Sequence, residues 1–314
     1  MIDFSDPAPG SYRRWAILAI SSVNFVISMF YRASTAVISP SLVRDLGFTS
    51  AELGDLSAAF FYAFAACQIP VGIALDRVGP RITMGILSVA AIGGAVLFAV
   101  GQSTTHLGAA RALLGIGMSG NLMVVLTLLA TWFPVNRFAF LSGLVVCIGV
   151  LGNLFAATPL ALLNLAVGWR ASFWIFAKIN AIVVLLFLVI VRDHPPGHSS
   201  LSWTPQSLTG GLRKLAGMYS YWAISFNSFA RYGYFAALQS LWAAPFLIYG
   251  LGLGEVSTGN VLLVMALGNM IGYPVSGWVS DRVLRSRKLT VLPGMASFGL
   301  LALSAAWFTS STFY

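Results

Sequence analysis

Nine apolar runs, at 15–39, 53–75, 82–101, 107–133, 139–163, 171–191, 218–248, 256–279 and 289–309, leave this chain few ways to fold. Each is about as long as the roughly 20 residues a helix needs to cross a hydrocarbon core of about 30 Å. Strands of a membrane barrel would read as short alternating segments, so the expected fold is an all-α polytopic bundle. Charged residues make up 9% of the sequence, against roughly 25% in soluble domains. The first run is too long for the apolar core of a signal peptide and no small-residue cleavage site comes after it, so it is expected to remain. Residues 192–217, with Pro195, Pro196, Gly197, Pro205, Gly210 and Gly211 among polar neighbours, form the one long hydrophilic stretch. Lacking the apolar periodicity of a buried helix, it reads as a flexible linker. The chain therefore divides into a six-helix part at 1–191, the linker at 192–217, and three helices at 218–314.

A repeat runs through these helices. Pro40, Gly54, Gly72, Asp76 and Arg77 match Pro245, Gly259, Gly277, Asp281 and Arg282 at one constant offset of 205 residues, without a gap. Five coincidences at a single spacing mark one multi-helix module used twice. Internal repeats of this kind are the plan of secondary transporters.

The net charge of +9 is a topology signal, with no nucleic-acid partner implied. With the N-terminus inside, Arg13, Arg14, Arg77, Arg81, Arg137, Arg192, Arg213, Lys214, Arg282, Arg285, Arg287 and Lys288 fall on the cytoplasmic side. Arg44, Arg111 and Arg170 fall on or near the outer one. An excess of this sign fixes the orientation. The setting expected is a plasma membrane, the inner membrane of a bacterium, holding a monomer. Cys67 and Cys147 lie inside apolar runs as packing residues, and His106, His194 and His198 are scattered, so neither a metal nor a cofactor is expected. No His/Asp cluster or activated nucleophile suggests an enzyme.

Three cations lie inside the apolar runs: Arg32 in the first, Lys178 in the sixth and Arg231 in the seventh. A central one costs about 2.5 to 3.5 kcal/mol on an insertion scale. All nine acidic residues sit in loops or at run ends, so no carboxylate is placed to neutralise them. A water-filled cavity whose counter-ion is the solute would satisfy such cations, and the expected substrate is therefore a small organic anion. A guanidinium grips carboxylate or phosphate through two parallel bonds. Tyr31 and Asn121 are the polar residues best placed to add contacts, whereas Lys178 has snorkelling as its bland alternative. Gly115-Ile-Gly-Met-Ser-Gly120 copies a dinucleotide fingerprint in letters only. It lies mid-run without a preceding strand, and close helix packing accounts for it.

Gly72-Ile-Ala-Leu-Asp-Arg-Val-Gly-Pro-Arg81 closely resembles the signature loop between helices two and three of the major facilitator superfamily, and Gly277 to Arg282 its weaker second copy. Arg111 to Gly117 is similar to the fourth-helix motif of that superfamily, and Gly168-Trp169-Arg170 to its pattern before helix six. The resemblance implies alternating access, secondary active or facilitated. In it Gly72, Asp76, Arg77, Gly79, Arg81, Arg111, Gly277, Asp281 and Arg282 would form a conformational latch, with Asp76 pairing across the interface between halves. Plain anchoring of a basic loop is the alternative for that segment. The resemblance places the first and seventh helices at the central cavity, so Arg32 and Arg231 would face the substrate, as paired arginines do in the organophosphate transporters. At the repeat offset Arg32 aligns with Ala237 and Arg231 with Val26, so the two are not symmetry mates. Members typically have twelve helices, and the nine runs here leave a second expectation open: a truncated, non-transporting remnant or a membrane ligand sensor.

Overall fold

The computed structural model describes residues 12–195, 208–237, 255–286 and 288–297, with positions 247, 251, 252, 299 and 300. Among these residues the α-helices that are named below are, in order, α1 Tyr12–Leu46, α2 Ser50–Ala66, α3 Gln68–Val100, α4 Thr104–Met118, α5 Asn121–Trp132, α6 Val135–Phe155, α7 Thr158–Ile190, α8 Leu208–Ala216, α9 Tyr219–Ala237 and α10 Glu255–Trp278. A π-helical turn, Val279–Val283, continues α10, and residues 288–297 are helical again. No strand occurs among the described residues. Parts of the predicted linker and of the seventh and ninth runs lie outside them.

Helix breaks and apolar runs obey different rules. Pro70 and Pro159 each clash with the carbonyl four residues back, at Ala66 and Phe155, where α2 and α6 end. Each proline then sits in the first turn of the next helix, where its missing N–H costs nothing. The second and fifth runs are therefore crossed by broken helices. Conversely, the loops after spans two and five are so tight that helical hydrogen bonding runs on through them. The sole residues out of helical conformation there are Gly79 (φ 84°, ψ 167°) and Gly168 (φ 79°, ψ 161°), in a region open essentially to glycine alone.

An added Cβ at Gly79 would also lie 2.7 Å from a carboxylate oxygen of Asp193, whereas Gly168 has open space around it. Gly168→Ala is therefore expected to cost the backbone strain, about 1 to 3 kcal/mol. Gly79→Ala should cost that strain and displace Asp193 as well. Thermal melts of the detergent-solubilised chain that ranked the two substitutions the other way would contradict this account.

The chain separates into two compact units. One extends to Ser200 and includes Tyr273–Arg285; the other comprises Leu201–Gly272 and the chain from Ser286. In the first unit the loops sort to two ends, as six antiparallel spans require. At one end Trp169 Nε1 donates to Asp45 (3.0 Å), Arg170 to the Gly101 carbonyl (2.8 Å) and Thr104 to Glu52 (3.1 Å). Glu52 also closes a capping box with Thr49, whose backbone N–H leads the interactions holding this carboxyl below its ordinary range. At the other end Arg81 Nε donates to the Leu188 carbonyl (2.8 Å), Arg13 to that of Ile190 (3.2 Å) and Trp132 Nε1 to that of Arg192 (3.0 Å). Spans one, three and four thus cap the open carbonyls where span six ends. Large apolar side chains such as Ile86 and Val89 on α3 and Ile182 and Leu185 on α7 face outward, as helices bathed in lipid require.

Within the stretch read as a linker, residues 208–216 form the helix α8, whose residues 213–216 are exposed.

Candidate functional site

Two arginines grip the aromatic segment of α2 from different sides. Arg111, on α4, is fully buried, with its guanidinium 4.5 Å from the centre of the Phe60 ring. Arg32, on α1, is half-buried and stacks 4.9 Å from the Phe64 ring and 5.9 Å from that of Phe61. The difference in exposure separates their roles. Arg111 is a strut: its Nη1 donates 2.8 Å to the carbonyl of Tyr31, whose peptide bond leads directly into Arg32. It therefore fixes the backbone from which Arg32 projects. A guanidinium that stacks on a ring through its face still donates along its edges. A cation–π contact contributes about 0.5 to 2 kcal/mol, so the two rings together offset a large part of the roughly 2.5 to 3.5 kcal/mol that a central arginine costs on insertion. Arg32 is thus anchored at mid-span yet reaches accessible surface.

Beside it, span four breaks at Ser119 and Gly120 between α4 and α5. The Ser119 and Met118 carbonyls there find side-chain donors. Gln68 Nε2 reaches the Ser119 carbonyl (3.3 Å) and the Phe64 carbonyl at the end of α2 (3.1 Å), while Ser28 Oγ (3.4 Å) and Asn121 Nδ2 (3.3 Å) share that of Met118. A break in a membrane helix is tolerated when side chains supply such bonds. Asn121 is fully buried, and its Oδ1 has no hydrogen-bond partner among the described residues.

The other proposed contacts are dispersed. Tyr31 is fully buried between Phe30 and Phe173, ring centres 5.5 and 6.2 Å away, and turns from the surface that Arg32 reaches. Lys178 is exposed on α7 beside the outward-facing Ile175, Ile179 and Ile182, where a lysine snorkels. The side chain of Arg231, on α9, lies outside the described residues. Sequence reading passed over Phe61 and Phe64, although the run Phe60-Phe61-Tyr-Ala-Phe64 in the neighbouring span was the signal available.

The two copies of the loop motif engage different partners. In the first, Asp76 and Arg77 are exposed, and Gly72 has open space around it. Arg81 donates its backbone N–H to Asp193 (2.8 Å), so Asp193 caps the helix that restarts after Gly79. Asp193 comes directly after span six, and only its place in the fold reveals this task. In the second copy, Asp281 accepts the Phe140 backbone N–H of α6 (3.0 Å). Gly277 lies against the same helix, where an added Cβ would stand 2.5 Å from the Ala139 carbonyl. Arg282 is exposed. Gly277→Leu is expected to prise α10 from α6 and expose both to modification. If a cysteine placed at the buried Ala139 reacted with a membrane-permeant thiol reagent no faster in the Leu variant, the contact would not be the tight one described.

The glycines of the false dinucleotide motif pack helices. Gly115 abuts the Phe60 backbone, Gly117 the Ala91 backbone and Gly120 the Leu87 side chain.

The profile of the Major Facilitator Superfamily matches residues 20–314. The chain belongs to that superfamily. Membership makes it an integral, multi-pass membrane protein of a transporter family, and the chain is not an enzyme. Among its relatives, the probable sulfoacetate transporter SauU of Cupriavidus necator is 26% identical over 96% of this chain and 73% of its own length. The D-galactonate transporter of Escherichia coli O6:H1 is 26% identical over 90% of this chain and 72% of its own. The fold is shared with a bacterial homolog of the human lysosomal transporter Spinster, at a TM-score of 0.54 and 17% identity. The match covers 86% of this chain but 61% of that one, so the chain spans less than two thirds of the solved transporter.

Proposed function

We propose that the chain is, or forms most of, a secondary transporter that moves a small organic anion by alternating access, with Arg32 as the primary anion contact. The observation that carries this reading is the placement of Arg32. It is a permanently charged group at mid-span on α1, stacked on Phe61 and Phe64, braced through Arg111 and half-open to the surface. A guanidinium held in this way is pre-organised for bidentate capture of a carboxylate, sulfonate or phosphate. Sulfoacetate and galactonate, named for the two relatives, both carry a carboxylate. Arg231, on the other cavity-lining span of the family pattern, is the second arginine of the proposal, and Asn121 a polar neighbour.

The loop copies supply the latch. Asp281, seated on the Phe140 N–H, and Gly277, against Ala139, would have to leave α6 when the transporter changes state. Asp76 is proposed to do the equivalent in its own copy.

The test is a ligand panel on the purified chain. Small carboxylates, sulfonates and phosphates should raise its melting temperature, and isosteric amides and alcohols should not. If only neutral or cationic solutes stabilised it, the anion reading would be wrong. Uptake into proteoliposomes then separates transport from sensing, since a sensor would bind the same anions without accumulating them.

A further inference from the structure

We propose that Asn24, Asn121 and Asn180 bind one internal water between spans one, four and six, and that this water pins the broken span four to its neighbours. The inference concerns the core of the first unit and stands whether or not the chain transports.

Three carboxamides lie deep in that core. Asn24 on α1 is 3% exposed, Asn121 on α5 1% and Asn180 on α7 1%. Each keeps one amide atom without a hydrogen-bond partner among the described residues: Oδ1 of Asn24, Oδ1 of Asn121 and Nδ2 of Asn180. The Nδ2 groups of the first two are already engaged within their own spans, donating to the Ile20 carbonyl (3.1 Å) and the Met118 carbonyl (3.3 Å). Two acceptors and one donor are left over.

Helix register brings them to one depth. Ser28 Oγ donates to the Met118 carbonyl (3.4 Å), and Ile17, Leu18 and Ser21 share a small cavity with Val125, Leu128 and Leu129. Between these two ties the antiparallel spans one and four set Asn24 level with Asn121. On the side of span six, Phe30 stacks on Phe176 (ring centres 3.8 Å apart) and Asn164 donates to Ser41 (2.9 Å). One turn on from Phe176, Asn180 stands within about 3 Å of the depth of Asn24, at 1.5 Å per residue. Around α1, Asn24 lies about 40° from Ser28, which meets span four, and about 20° from Tyr31, which meets Phe173 of α7. It therefore faces the junction of all three spans.

Chemistry selects the guest. A cation would be opposed by the N–H of Asn180, and an anion by the two carbonyl oxygens. A direct bond from Asn180 to either oxygen would leave the other orphaned. A molecule that donates twice and accepts once satisfies all three atoms, and water is the smallest that does. Internal waters make about three such bonds each. Held from spans one and six, this one fixes Asn121 and with it the point where span four resumes as α5.

The experiment is X-ray hydroxyl-radical footprinting of the full chain in detergent, read residue by residue by mass spectrometry. The pulse activates bound water where it sits, so a buried side chain beside it is oxidised. Met118 is the reporter: it is 3% exposed and its Sδ accepts from Asn121 Nδ2 (3.5 Å). Met84 is the reference, 2% exposed and about 10 Å along α3 from Ala91, which packs on Gly117. Met118 should be oxidised at least about fivefold faster than Met84, and in the Asn24→Leu, Asn121→Leu, Asn180→Leu chain it should fall to the Met84 rate. Equal rates in the parent chain would overturn the proposal. Melting temperatures give a second reading. Each single leucine variant strands the two remaining amides and should melt below the parent, whereas the triple variant strands none and should melt near it. A triple variant lowered by the sum of the three singles would make the asparagines independent and sink the shared water. A parent melting temperature that rose with sodium over choline chloride at equal ionic strength would assign the site to a cation instead. If the triple variant does not fold, the footprint of the parent decides by itself.

Discussion

Arg32→Ala is expected to lower uptake of the transported anion by about 100-fold while leaving the chain folded. The size comes from chemistry: two parallel charge-assisted hydrogen bonds to one anion contribute about 3 kcal/mol, and each 1.4 kcal/mol is a factor of ten. Folding should survive, because Arg32 is half-buried and stacks on rings that can settle against a smaller side chain. Arg32→Lys should recover only part of the loss, since an ammonium restores the charge but neither the bidentate fork nor the flat stacking face. Radiotracer uptake into proteoliposomes, beside melting temperatures for both variants, checks this. Unchanged uptake in the alanine variant would remove Arg32 from the anion site.

Arg111 is expected to separate stability from function. Arg111→Ala empties the volume of the largest fully buried side chain among the described residues and should cost about 3 to 5 kcal/mol, lowering the melting temperature of the solubilised chain steeply. Arg111→Met fills most of that volume and removes a buried charge, and exchanges of this sort are often close to neutral. Its melting temperature should stay near that of the parent chain. Uptake should still fall, by about tenfold, because the Tyr31 carbonyl loses the donor that fixes the backbone entering Arg32 and the Phe60 ring loses its cation. Native uptake by the methionine variant would reduce Arg111 to a packing element. A methionine variant as unstable as the alanine one would show that the charge itself, through its carbonyl and ring contacts, supports the fold.

These two residues show where sequence reading succeeds and where it stops. Arg32 stood out because a cation inside an apolar run is costly wherever it ends up, and that cost is visible in one dimension. Arg111 was legible as part of a motif read as a latch, and the structure adds its bond to the Tyr31 carbonyl and its contact with the Phe60 ring. Lys178 was read as a third such cation with snorkelling as its alternative, and it is exposed on α7; 20 apolar residues in a row carry no polar stripe to say which side faces lipid. Asp193 read as an ordinary loop carboxylate, and its capping of Arg81 depends on two segments far apart in sequence.

By itself the sequence determined the all-α bundle, the membrane, the repeated loop and the superfamily. Span length, apolar content and motif spacing are local properties, and a bilayer accepts few backbones that fulfil them. Tertiary structure alone decided which faces of those helices meet. It put Arg111 under Tyr31, Phe61 and Phe64 against Arg32, Gln68 across two helix breaks and Asp281 onto the start of α6. Each of these is a pairing between helices, and in a membrane such pairings obey close packing and hydrogen-bond satisfaction, which no single run of residues encodes.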